Sequence, residues 1–89
     1  MAYQSKNLSV LAYANGFTLW HYTTTDAAAT VDSAGYFNTA ADMLRVGDIV
    51  IANTETGGTM KGGFFLVSAN SGGVVDVNDM TRIGDTDTD

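Results

Sequence analysis

No cysteine occurs among the 89 residues. Disulfides and thiolate metal sites are therefore excluded, and with them two of the usual supports of a small fold. At 9.4 kDa there is length for one core only, so oligomerisation is the support that remains. Basic residues are scarce, four Lys and Arg against ten Asp and Glu, which gives a net charge of −6. Such a surface repels phosphate backbones and argues against nucleic acid as a partner. No run approaches the roughly 18 apolar residues of a membrane span, and the opening MAYQSKNLSV lacks the basic and apolar regions of a signal peptide. The expectation is a chain made and folded in a cytoplasm, with no membrane partner.

Catalytic signals are equally sparse. His21 is the one histidine, no serine lies in a G-x-S-x-G context, and the glycine-rich segment around Lys61 lacks P-loop spacing. His21 reads as a strand residue making one hydrogen bond. Asp85, Asp87 and Asp89 alternate as in a calcium loop, with Asp76 and Asp79 upstream. They lack the glycine and bidentate glutamate of an EF-hand, and they read as a solvated tail. The expectation is no enzyme activity, no cofactor and no metal.

What is present is apolar patterning. Apolar residues make up 45% of the chain and charged ones only 16%, the composition of a globular domain with a weakly charged surface. Residues 1–7 are polar and unpatterned and read as an arm, mobile until bound. Asn15-Gly16, flanked by apolar-rich segments, predicts a hairpin with a type I′ turn. That register pairs Ala14 with Phe17, Tyr13 with Thr18, Ala12 with Leu19, Leu11 with Trp20, Val10 with His21 and Ser9 with Tyr22. It places Tyr13, Trp20 and Tyr22 in one aromatic stripe, open to use as core or as interface. A helical reading of residues 8–14 competes, but residues 17–23 are β-branched and aromatic as a strand should be.

Thr23, Thr24 and Thr25 supply a cap for a helix over residues 26–32, with Asp26 at its positive end and Gly35 beyond it. Tyr36 and Phe37 plug the core. A second helical turn follows through Leu44, and Gly47-Asp48 turns the chain into the apolar strand Ile49, Val50, Ile51. That strand should be central, or covered on both sides. Residues 54–63 read as a mobile loop joining antiparallel strands, residues 64–67 and 74–77 as a meander about the turn at Asn70 to Gly73, and residues 79–83 as an edge strand with Arg82 on its solvent side. The expected fold is mainly β (α+β), a small antiparallel sheet or barrel-like domain over residues 8–83, followed by an acidic tail over residues 84–89.

The residues Asp26-Ala-Ala-Ala-Thr-Val-Asp32, then Gly35-Tyr36-Phe37, then Leu44 with Val46-Gly47-Asp48-Ile49-Val50, resemble small structural proteins encoded among the virion genes of tailed bacteriophages. The likeness runs over roughly residues 18–78 and is one of packing and turns. It implies a capsid decoration, or cement, protein on the outer surface of a phage head. Its partners would be the major capsid protein and further copies of itself, as a homo-oligomer, most simply a trimer. On that reading Ala2, Tyr3, Gln4, Ser5, Lys6 and Asn7 strap the domain to the shell, and Tyr13, Trp20 and Tyr22 are interface aromatics. The alternative is a head-fibre or tail-appendage module whose aromatic face stacks on sugars or a receptor.

Overall fold

The computed structural model describes residues 3–84. Its strands are β1 (Leu8–Ala14), β2 (Phe17–Thr23), β3 (Ile49–Thr54), β4 (Lys61–Ser71), β5 (Val74–Val77) and β6 (Thr81–Ile83), with one helical turn, α1 (Ala28–Val31). They form one open sheet in the order β1, β2, β3, β4, β5, with β6 also pairing with β4. The fold is mainly β, as expected, but the sheet is mixed and no barrel closes. β2 and β3 run parallel, and every other pair is antiparallel. The cause is the long connection over residues 24–48, which crosses one face and returns the chain to the end where β2 began.

That crossover is the second layer of the domain. From it Val31, Phe37, Ala40 and Leu44 meet Trp20 and Tyr22 of β2, Val50 and Ala52 of β3, Phe65 and Val67 of β4, and Val75 and Val77 of β5. Alternation in the strands decides which residues take part: in β3 Val50, Ala52 and Thr54 are buried, while Ile49, Ile51 and Asn53 are not. The crossover is tied down by polar contacts to the sheet. Gly35 donates its N–H to the Val75 carbonyl at 2.9 Å. Asn70 Nδ2 donates to the carbonyls of Ala41 and Leu44 at 2.7 and 2.6 Å, and Val75 N–H donates to Asn38 Oδ1 at 2.9 Å.

Three local expectations change. The helix is shorter than residues 26–32, starting at Ala28 with no side-chain cap, because Asp26 is held elsewhere by Tyr36. The hairpin turn has positive φ only at Gly16 (77°) and not at Asn15, so it has the pattern of a type II turn. A bulge at Leu11 then shifts the register of the hairpin by one residue. The first three pairs follow the expected register, but beyond the bulge Val10 faces Trp20, Ser9 faces His21 and Leu8 faces Tyr22. Finally, Gly62 and Gly63 belong to β4, because Met80 and β6 sit against them. A Cβ at Gly63 would collide with the Thr81 carbonyl oxygen and lie 2.6 Å from Met80 Cγ.

Candidate functional site

The N-terminal segment does not behave as a free arm from Tyr3 onward. The Tyr3 ring stacks on Tyr22 at 5.6 Å and meets Phe37 edge-on at 5.5 Å. Gln4 N–H donates to Tyr22 Oη at 3.1 Å, and residues Ser5–Asn7 form a 3-10 turn leading into β1. Burial is the reason: a tyrosine ring set among Tyr22, Tyr36 and Phe37 loses far more water contact than a polar arm could hold back. Gln4, Ser5 and Lys6 remain exposed, Asn7 is half-buried, and Ala2 lies outside the described residues.

The aromatic stripe divides. Trp20 is 6% exposed and Tyr22 fully buried, so both are core, whereas Tyr13 is 64% exposed. The bulge and the crossover separate them: the covering layer reaches β2 and stops short of β1, every residue of which after Leu8 is exposed. Trp20 and Tyr22 therefore have no surface to offer a shell, and the stripe offers no platform for a sugar.

Two buried carboxylates hold the fold together. Asp48, 1% exposed, accepts from Thr18 N–H at 3.1 Å, from Trp20 Nε1–H at 3.2 Å and from Arg45 N–H at 3.1 Å. Its backbone carbonyl also receives Val67 N–H, while Gly47, at φ 96°, gives its N–H to the Val67 carbonyl. Asp26 accepts Tyr36 Oη–H at 2.6 Å, which leaves the Tyr36 oxygen to accept Tyr22 Oη–H at 2.9 Å. Burial, then the Asp26 and Tyr22 bonds, push the Tyr36 phenol well above its usual range. Such a chain, with each member polarising the next, rigidifies the seam between crossover and sheet. Sequence reasoning gave neither carboxylate this role; the signal available was the Gly-Asp pair directly before an apolar strand.

His21 Nε2 lies 3.1 Å from Asn53 Oδ1, to which it donates. At the end of α1, burial, then Asp79, then Asp76, raise the Asp32 carboxyl above the ordinary carboxylate range. Among the described residues no group of three acidic, His or Cys side chains is arranged to hold a metal ion. Asp85, Asp87 and Asp89, and the rest of the acidic tail after Gly84, lie outside the described residues.

The largest uncommitted feature is the second face of the sheet. Register sets Ala12, Leu19, Ile49 and Leu66 in one row, and Ser9, His21, Ile51, Phe64 and Thr81 in the next. Phe64 and Leu66 are 39% and 41% exposed. Beside them a hollow of about 310 Å³ is lined by Ile49, Phe64, Phe65 and Leu66 with Asn78, Asp79 and Thr81. β3 is central, as its apolar run predicted, yet it is covered on one side only. A smaller hollow of about 180 Å³ near Lys61 and Arg82 is lined mainly by polar surface.

Comparison with protein-family models, curated proteins and solved structures finds no match to this chain.

Proposed function

We propose that this chain is a structural virion protein, a capsid decoration (cement) protein that binds the outer surface of a phage head and stabilises it as a homo-oligomer. The observation that carries the reading is the broad apolar sheet face of an acidic domain whose buried carboxylates, Asp26 and Asp48, both serve the fold. This is the make-up of an assembly unit. The residues that resemble phage virion proteins agree with it: Tyr36, Phe37, Leu44 and Asp48 are the pieces that lock the crossover onto the sheet.

A cement subunit spans the seams between shell subunits, so its contacts resist the outward pressure of packed DNA, and self-association turns weak contacts into avidity. No cofactor enters this mechanism. The major capsid protein is the partner, met by the exposed side chains of Gln4, Ser5 and Lys6 and by Tyr13 on the open β1 edge. The alternative, a head-fibre or tail-appendage module binding a receptor or carbohydrate, would have to use Tyr13 rather than Trp20 or Tyr22, which are in the core. The test is to add purified protein to phage heads that lack it and to measure binding and the temperature of DNA release. Saturable binding with a higher release temperature is expected. Absence of binding to heads, with binding to fibres or tails instead, would overturn the reading.

A further inference from the structure

Ile49-Val50-Ile51 and Phe64-Phe65-Leu66 are apolar at every position, the pattern of strands covered on both faces. The chain supplies one cover, the crossover, and leaves the face bearing Leu19, Ile49, Ile51, Phe64 and Leu66 open. We propose that a second copy of this chain covers that face in solution, the two sheets packing face to face about a twofold axis.

Charge selects the occupant. The chain carries −6, so two copies repel wherever their carboxylates meet. On β1, β2, β3, β4 and β6 the open face carries no formal charge: its rows hold Ala12, Ser9, Thr23, Asn53 and Thr81 around the apolar centre. Asp76 on β5 stands at one margin and Asp79 lines the hollow beside Phe64 and Leu66, while Asp26 and Asp48 are buried. Away from Asp76 and Asp79, this is the approach on which two acidic copies meet neutral surface.

Shape allows the pairing and size limits its strength. The exposed Phe64 and Leu66 line the 310 Å³ hollow, so one patch carries both a ridge and a recess, as a face that meets itself about a twofold requires. Aligned sheets pack about 10 Å apart with their side chains interleaved. Five strands about 4.8 Å apart and about five residues long give a footprint of roughly 400 Å² per copy, below the roughly 800 Å² per partner of a standard interface. The dimer is therefore concentration-dependent, and the monomer, whose own core is complete, folds without it. A patch paired with itself closes at two copies, in place of the trimer that the resemblance implied. The inference rests on the same sheet face as the capsid reading, but its test, on the isolated protein, can fail while head binding stands.

Sedimentation equilibrium of the intact protein over about 5 to 500 µM tests it. The mass should rise from 9.4 kDa toward twice that value, more readily at high salt, where margin carboxylates are screened. Leu66→Glu and, separately, Phe64→Ser should weaken association at least about tenfold with an unchanged far-ultraviolet circular-dichroism spectrum. Val46→Glu, at an exposed loop position away from the face, should associate as the unaltered protein does. A monomer throughout, a three-copy mass, or unchanged association in folded Leu66→Glu and Phe64→Ser proteins would overturn the pairing.

Discussion

Trp20 and Asp48, 28 residues apart, share a buried hydrogen bond of 3.2 Å from the indole Nε1–H to Oδ2. It fastens β2 to the turn that launches β3, the parallel pair that the long crossover makes possible. Replacing Asp48 with Asn turns one acceptor atom into a donor that faces an N–H. The expected loss is about 2 to 3 kcal/mol, read from urea unfolding. Combined with Trp20→Phe, the losses should fall short of additive, because both changes break the same bond.

Tyr3 makes the start of the chain part of the core. Tyr3→Ala should cost about 1 to 3 kcal/mol through the lost stack on Tyr22 and edge contact with Phe37. Tyr3→Phe should be neutral or stabilising, since Tyr3 Oη is buried with no hydrogen-bond partner. Chemical denaturation of the two variants checks the ordering.

Gly63 must remain a glycine. A methyl group there would strike the Thr81 carbonyl and Met80, so Gly63→Ala should cost about 1 to 3 kcal/mol. Amide exchange should quicken first at Thr81, Arg82 and Ile83 as β6 loosens from β4.

Asp32 gives the fold a pH response. Its folded-state carboxyl titrates above the ordinary carboxylate range, from burial and from Asp79 and Asp76, so ionising it costs the native state. Stability through this group is full below the unfolded value and falls as pH rises through the raised folded one. Asp32→Asn should therefore be the more stable protein at pH 7. That advantage should shrink on acidification through the raised value, as measured by denaturant midpoints at a series of pH values.

Much of this was legible in the residues, and the omissions have physical causes. The apolar run at Ile49 marked the central strand, and the Asn15-Gly16 turn set the three pairs nearest to it. The bulge at Leu11 was hidden because β1 is exposed on both faces, so no burial pattern fixes its register. Tyr3 gave no signal in a polar segment, since its site is built from Tyr22, Tyr36 and Phe37 only after the crossover folds. The parallel pair could have been read from the 24–48 connection, which is long enough for a crossover and far too long for a hairpin. An apolar run with both faces alike cannot say whether its second cover belongs to the same chain. The candidate site lay in that ambiguity: Trp20 and Tyr22 went to the core, and Leu66 and Phe64 took their place at the surface.

Whether this is a decoration protein is decided by the number of its copies in purified virions, counted by quantitative mass spectrometry against the major capsid protein. A decoration protein repeats with the shell lattice, so on the order of a hundred or more copies per particle are expected, in fixed ratio to the capsid subunit. Fewer than about a dozen copies, or none, would contradict it and assign the domain to a fibre, a tail or no virion at all.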